Sequence, residues 1–124
     1  MARPIVTEIG AVNDIFAHTG VKSIPAGGYV LAASVTGVVK KGTPLIQGAT
    51  DKELLVVSAD ADQVVAIAAD EIDTALTRAI PAYEEGEFNA NQITATLPSG
   101  VTIAGLSVKA RLHGIYFRDV ITPV

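Results

Sequence analysis

The sequence predicts a mainly β fold, a small single-domain β-barrel or β-clip-like sandwich with one short helix and an extended N-terminal arm. Valine, isoleucine and threonine, the β-branched residues that favour strands, make up 38 of the 124 residues. Eleven glycines and six prolines interrupt the chain at short intervals, as a domain with many turns requires. Leucine, which commonly fills helices, occurs only eight times.

Length and composition exclude several classes of protein. A chain of 124 residues and 12.8 kDa indicates one domain. The net charge of −4 argues against a nucleic-acid partner, because neutralising phosphates needs a basic face. The absence of cysteine excludes disulfide bonds, thiolate nucleophiles and cysteine-based zinc sites. The longest apolar run, residues 64–69, is far below the roughly 20 residues that cross a bilayer, so we expect no membrane segment.

The N-terminal residues 1–24 differ from the rest of the chain and are predicted to form an arm. Residues 15–22 show no clean period, and Pro4 and Pro25 bracket the region. A short helix over residues 11–18 is one interpretation, with Gly20 near its end. The region as a whole is interpreted either as an N-terminal segment that lies along the surface of its own domain or as an arm that adds to the sheet of a neighbouring subunit. The β domain is predicted to cover residues 25–124.

The first half of the β domain shows a succession of strand patterns. Strands are predicted over residues 29–35, 52–58 and 63–68, and residues 38–46 are typical of a strand, a turn and a short strand. Within two of these strands, the runs at 54–57 and 64–68 are continuously apolar rather than alternating. Such runs indicate strands that are covered on both sides.

The segment from residue 77 to residue 103 predicts an edge strand followed by two reversals. Pro81 places residues 77–84 at a sheet edge or a bulge, because proline donates no ladder hydrogen bond. Residues 83–88, with three glutamates, are predicted to form a tight, soluble turn. Residues 93–97 and 101–103 flank a Pro-Ser-Gly sequence, which is typical of a hairpin.

Residues 106–113 are ambiguous between a strand and a helix. Their strict alternation of apolar and polar residues favours a strand. The cations Lys109, Arg111 and His113 suit a helix C-terminus, and Gly114 suits the left-handed residue that follows one. We predict a short helix here, followed by a final strand over residues 115–121.

No set of residues has the spacing that catalysis or metal binding requires. The two histidines, His18 and His113, are far apart and lack neighbouring ligands. The spacing of Asp60 and Asp62 matches the first and third positions of an EF-hand calcium-binding loop. Valines occupy the fifth and sixth positions of such a loop, so a turn between strands is predicted instead. The acids at 70, 71 and 73 are interpreted as a solvated face.

The sequence also lacks the common motifs of nucleotide-binding proteins and hydrolases. The sequence Lys-Lys-Gly-Thr at residues 40–43 has the wrong order for a phosphate loop, and Pro44 prevents the helix that would follow. No Gly-x-Ser-x-Gly or Gly-x-Gly-x-x-Gly sequence occurs. We therefore predict that the chain is not an enzyme, with no catalytic residues, no cofactor and no metal.

Four segments, in this order, carry a resemblance to a known family. The first is residues 25–31, which lead into a Lys-Gly-Thr-Pro-Leu turn at 41–45, and the second is the predicted buried strand with its acidic run at 64–73. The third is residues 86–89, and the fourth is residues 107–111 followed by 114–116. With this order of segments, the chain resembles the head decoration (cement) proteins of tailed bacteriophages, of the lambda type. The resemblance spans residues 25–121.

The resemblance implies a virion protein made in the host cytoplasm. Such a protein binds the major capsid protein on the outer surface of the expanded head as a homotrimer and stabilises the lattice against internal DNA pressure. We predict that Arg3, Pro4, Ile5 and Val6 bind the capsid, with Ile5 and Val6 pairing along the edge of a capsid strand.

A second class of protein fits part of the sequence. Residues 35–45 are similar to the first half of a biotinyl or lipoyl carrier of the barrel-sandwich type, which presents a modified lysine at a hairpin tip. The lysines at 22, 40, 41, 52 and 109 lack the usual Met-Lys-Met or Asp-Lys-Ala context. Another small β binding module, or a small trimeric enzyme with a site between subunits, is a further alternative.

Overall fold

A computed structural model describes residues 22–24 and 28–119; residues 1–21, 25–27 and 120–124 lie outside the description. The described part is mainly β, as the sequence predicted. Its strands are β1 (Lys22–Ile24), β2 (Val30–Leu31), β3 (Val38–Val39), β4 (Pro44–Gln47), β5 (Glu53–Val56), β6 (Val64–Ala68), β7 (Ile72–Asp73), β8 (Ala82–Asn89) and β9 (Ile115–Arg118). Its helices are α1 (Ala90–Thr94), α2 (Ile103–Ala110) and a 3₁₀ turn at Arg111–His113.

The strands form two sheets in a sandwich-like arrangement. The larger sheet has the order β1-β8-β6-β4-β5-β2, and β9 pairs with β8 in parallel. The smaller sheet is the antiparallel pair β3-β7. The turn at residues 41–42 carries the chain from the smaller sheet to the larger one, and Gly42 has a φ of 91° there, a conformation that glycine adopts without strain. The described strands do not close into a barrel.

Strand β6 lies at the centre of the fold, between β4 and β8. Ala66 and Ala68 pack in one buried apolar cluster, together with Leu45 and Leu54. Ile67 packs in a second cluster, which also contains Val64 and residues of α2 and β9. The prediction that this apolar run is covered on both sides is confirmed.

Helix α2 and its 3₁₀ extension confirm the predicted short helix, which begins three residues earlier than expected. The hydroxyl of Thr102 accepts a hydrogen bond from the Gly105 N–H at 3.1 Å and caps the N-terminus. Leu106 and Ala110 are fully buried on one side of the helix. Gly114, with a φ of 77°, ends the 3₁₀ turn and leads into β9.

The predicted hairpin over residues 93–103 is wrong. Residues 90–94 form α1 instead, because the side chain of Asn89 accepts a hydrogen bond from the Asn91 N–H at 3.1 Å and starts a helix. Ile93 and Val101 are buried against the helical part of the core rather than in a sheet. The β-branched residues here fill a core between helices, and the capping residues decide the local structure.

The predicted tight turn at residues 83–88 is also wrong, since these residues belong to the eight-residue strand β8. The strand expected over 77–84 begins only at Ala82, directly after Pro81, where the missing N–H removes no ladder bond. Its expected place at a sheet edge is wrong, because β8 pairs with β1 on one side and with β6 on the other. The predicted strand over 29–35 is reduced to β2, because a turn follows at residues 33–34.

The N-terminal region is described only at its end. Strand β1, the last three residues of the predicted arm, pairs antiparallel with β8 at one edge of the larger sheet. The helix considered for residues 11–18 lies outside the described residues.

The turn after β5 is held by one carboxylate. The backbone N–H of Ser58 donates to Asp62 Oδ2 at 2.8 Å, and the Ala59 N–H donates to the same oxygen at 3.0 Å. These hydrogen bonds, that of Ser58 first, hold the pKa of Asp62 below its ordinary value. The predicted turn between strands at Asp60 and Asp62 is therefore confirmed.

Replacing Asp62 with alanine is expected to lower the free energy of unfolding by about 1 kcal/mol at neutral pH, because two N–H donors lose their acceptor. The folded-state pKa lies below the unfolded value, so the stabilisation is complete above the unfolded value and is lost as the pH falls through the folded one. Urea unfolding of wild type and Asp62→Ala at neutral and at acid pH measures the difference in unfolding free energy and its dependence on pH. The exposed Asp51→Ala is the control, and equal stability of wild type and Asp62→Ala at neutral pH contradicts the prediction.

Candidate functional site

The residues predicted to bind a capsid, Arg3, Pro4, Ile5 and Val6, lie outside the part of the chain that the structure describes. His18 does so as well. His113 is exposed, and its Nε2 contacts the side-chain amide of Gln63. Within residues 22–24 and 28–119, no three metal-ligating side chains come together.

Two exposed surfaces are the main candidates for interaction. The first, called here the helix-end patch, consists of Val108 and Leu112 with the neighbouring residues Lys109, Arg111 and His113. Val108 and Leu112 are 70% and 75% exposed. They are four residues apart along α2 and its 3₁₀ extension, so they lie close together on one side.

The second surface, called here the acidic loop patch, consists of Leu76 with Asp70, Glu71 and Asp73. Leu76 is 84% exposed, the largest value among the large apolar residues that are described. It follows β7 directly, in a turn in which its N–H donates to the Asp73 carbonyl at 2.9 Å. Asp70 and Glu71 precede β7 and lie alongside Lys40 and Lys41, which follow the paired strand β3.

Several hydrogen bonds join the loop that carries Leu76 to neighbouring backbone. Asp73 Oδ1 accepts from the Ala75 N–H at 3.0 Å. Thr74 Oγ1 accepts from the Gly37 N–H at 2.9 Å and donates to the Gly37 carbonyl at 3.0 Å, which joins this loop to the one before β3. Leu76 is therefore presented by a backbone that is tied at several points rather than by a free loop.

Arg78 connects this loop to the segment that follows β2. Its Nη1 donates to the carbonyls of Ala32 at 2.7 Å and Val35 at 2.8 Å, and its Nη2 donates to that of Ala33 at 3.3 Å. The planar guanidinium can reach several carbonyls at once, which the single ammonium of lysine cannot do in the same geometry.

Replacing Arg78 with methionine is expected to lower the free energy of unfolding by about 2 kcal/mol, because carbonyls lose a charged donor while the apolar stem is kept. Urea unfolding measures the loss. Lys41→Met, which changes an exposed cation outside both interaction patches, serves as the control and is expected to leave the unfolding free energy nearly unchanged. An Arg78→Met protein as stable as the wild type contradicts the prediction.

A polar groove of about 390 Å³ lies beside Tyr29. The Tyr29 hydroxyl donates to Glu84 at 2.7 Å, and Lys52 Nζ lies 5.4 Å from the centre of the ring. Burial, followed by the hydrogen bond and the charge of Glu84, raises the pKa of Tyr29 to about 12. The hydroxyl thus stays protonated and keeps joining the start of β2 to β8, which is a structural role.

A wider, open groove of about 630 Å³ runs between the loop at residues 34–36, strand β5 and residues 95–97. Val39 and Val57, both nearly inaccessible, lie at its base. Lys40, Ser34 and Thr96 are among the polar residues that line it. It combines an apolar base with a largely uncharged rim.

The lysines considered for a carrier protein have different surroundings. Lys40 and Lys41 lie where the chain passes from β3 to β4, which belong to different sheets and do not form a hairpin. Lys52 lies in the hairpin loop between β4 and β5. Lys109 donates to the Ala61 carbonyl at 2.9 Å.

Sequence reasoning missed both interaction patches. It interpreted the acids at 70, 71 and 73 as a solvated face without the exposed Leu76 beside them. It treated Lys109, Arg111 and His113 as a helix terminus, although Val108 and Leu112 alternate with them. The spacing of those two apolar residues was the available signal.

No protein-family model matches the chain, and no curated protein matches its sequence. In the described part of the chain, no helix is both long enough and apolar enough to cross a membrane.

Proposed function

We propose that this chain is a non-enzymatic capsid decoration protein. It binds the major capsid protein on the outer surface of an expanded tailed-phage head as a homotrimer, and it stabilises the shell against internal DNA pressure. In this proposal the chain acts in the virion and needs no cofactor.

The observation that carries the proposal is the presentation of apolar side chains by hydrogen-bonded or helical backbone on a small domain. Leu76 and Leu112 are each at least 75% exposed, although the neighbouring backbone is fixed by hydrogen bonds or helical structure. Exposed apolar groups on a rigid frame favour binding to another protein surface, because little conformational freedom is lost on association.

The order of elements supports the same function. The residues on which the family resemblance depends form, in turn, the passage from β3 to β4, the buried strand β6, the end of β8, and helix α2 with the closing strand β9. The short helix before a closing strand is the arrangement that the resemblance implied. Arg3 to Val6 remain the predicted capsid-binding residues, as an arm that precedes β1.

Co-sedimentation with phage shells tests the proposal. The purified chain is mixed with expanded and with unexpanded heads of the phage whose genome encodes it, and light scattering gives the number of copies in the free assembly. We expect saturable binding to expanded heads only, by trimers. Absence of binding to either form, or an intact mass that includes a biotinyl or lipoyl group, contradicts the proposal.

A further inference from the structure

We propose that the turn between β5 and β6 is a strap that closes along helix α2, and that Gly105 is the position where it seats. The strap is defined as residues 58–63. Its anchor is Asp60, whose carboxyl group lies in the space that a side chain at residue 105 would fill. The strap joins the larger sheet to the helix, and this inference does not depend on the proposed function.

The hydrogen bonds of Asp60 are the first argument for the strap. Asp60 Oδ1 accepts from the Thr102 N–H at 2.6 Å and from the Thr102 hydroxyl at 3.2 Å. The same hydroxyl accepts from the Gly105 N–H at 3.1 Å. Because its one proton is directed to Asp60, the hydroxyl presents a lone pair to that N–H. Asp60 is therefore a positioning residue, which acts on the helix N-terminus through Thr102.

Further contacts follow the same side of the helix and its 3₁₀ extension. Lys109 Nζ donates to the Ala61 carbonyl at 2.9 Å, and His113 Nε2 contacts the side-chain amide of Gln63. Positions 105, 109 and 113 are four residues apart and lie close together on one side. They meet residues 60, 61 and 63 in the same order. The strap therefore lies along the helix rather than touching it at one point.

The space at Gly105 is the second argument. A β-carbon at this residue would lie 2.5 Å from Asp60 Cγ and 2.8 Å from Asp60 Cβ. Non-bonded carbon atoms make favourable contact at about 3.5 to 4.0 Å, so both distances are strongly repulsive. Glycine is a weaker helix former than alanine, and the helix gains nothing from it by itself. The closed strap explains why a glycine occupies the first turn of α2.

The substitution Gly105→Ala, made in two backgrounds, tests the strap. In the wild-type chain it is expected to lower the ratio of folded to unfolded chains about threefold, because the methyl group displaces Asp60 from Thr102. In the Asp60→Gly chain, where residue 60 has no β-carbon to clash, it should raise that ratio about twofold, as alanine does in an ordinary helix. Urea unfolding of the wild type, both single variants and the double variant measures the two effects.

The matched control is Ala104→Gly, which changes the preceding residue of the same helix. Because this exposed methyl group forms no hydrogen bond with the strap, its removal should lower the ratio by the same factor in both backgrounds. Opposite effects of Gly105→Ala in the two backgrounds support the inference. An equal effect in both, or a gain of stability in the wild-type chain, overturns it.

Amide hydrogen exchange gives a second measurement, which does not require that Gly105→Ala folds. Asp60→Ala is expected to speed exchange of the Thr102 N–H about fivefold or more, because this N–H loses its acceptor. Asp60→Asn keeps an acceptor oxygen and should exchange more slowly than Asp60→Ala. The exposed Asp51→Ala is the control and should exchange at Thr102 like the wild type. Equal exchange at Thr102 in the wild type and in Asp60→Ala overturns the inference.

Discussion

Deleting residues 2–8 is expected to abolish binding to expanded heads and to leave the trimer intact. The segment contains Arg3, Pro4, Ile5 and Val6, the predicted capsid-binding residues, which precede strand β1 in the sequence and are not among the residues that define either interaction patch. Strand addition uses backbone hydrogen bonds along the added segment, so its removal eliminates the whole contact at once. We expect co-sedimentation to fall to the level of a protein that does not bind.

Point substitutions refine the test of the arm. Ile5→Asp is expected to weaken binding to heads strongly, because it places a charge in a paired strand, whereas Glu8→Gln, beyond the four predicted residues, should bind like the wild type. Light scattering of each variant must still give trimers. Unchanged binding after deletion of residues 2–8 contradicts the role of the arm, and loss of the trimer indicates that the arm joins copies instead.

Replacing Phe88 with alanine is expected to have the largest effect on stability, a loss of about 3 to 5 kcal/mol in the free energy of unfolding. Phe88 is fully buried in the cluster that joins β6, β8, β9 and the helices. Its ring centre lies 6.1 Å from that of Tyr83, and it pairs with Phe117 on β9. The substitution leaves a cavity where a sheet and two helices meet, and the surrounding backbone cannot close it.

Urea unfolding measures this loss, with two variants for comparison. Phe88→Leu keeps much of the apolar volume and should cost markedly less than Phe88→Ala. Val38→Ala, at a position more than half exposed, should change the free energy of unfolding by no more than about 0.5 kcal/mol. A loss below about 1 kcal/mol for Phe88→Ala contradicts the assigned core, because truncating a fully buried phenylalanine lowers the free energy of unfolding by more than that.

The parts of the fold that the sequence predicted correctly are those where one pattern decides the structure. The continuous apolar run of β6 required burial on both sides, and Gly42 with Pro44 required a turn before β4. The cations at 109, 111 and 113 with Gly114 indicated the end of a helix, which the 3₁₀ turn after α2 confirms.

The errors arose where one polar capping residue favours a helix in a segment whose β-branched residues indicated a strand. Asn89 caps α1, where the first half of a hairpin was predicted. Thr102 caps α2, which therefore begins within the predicted second half of that hairpin. The three glutamates of β8 suggested a turn because they are charged. They lie instead on a strand whose final residues, Phe88 and Asn89, are fully buried.

The interaction patches were harder to predict because exposure is a property of the fold. A single leucine such as Leu76 has the same local sequence signal whether it is buried or exposed. The hydrogen bonds of Asp73, Thr74 and Arg78 join its loop to neighbouring backbone, which the sequence does not show. The high exposure of Leu76 shows that its side chain points away from the core.

The resistance of filled, expanded heads to heat, with and without the bound chain, tests most directly whether this protein works by assembly. A protein that binds only the intact lattice must stabilise that lattice by mass action, so saturating amounts should raise the temperature at which heads release their DNA. The variant without residues 2–8 should leave that temperature unchanged. Heads that rupture at the same temperature with and without saturating wild-type chain contradict the account.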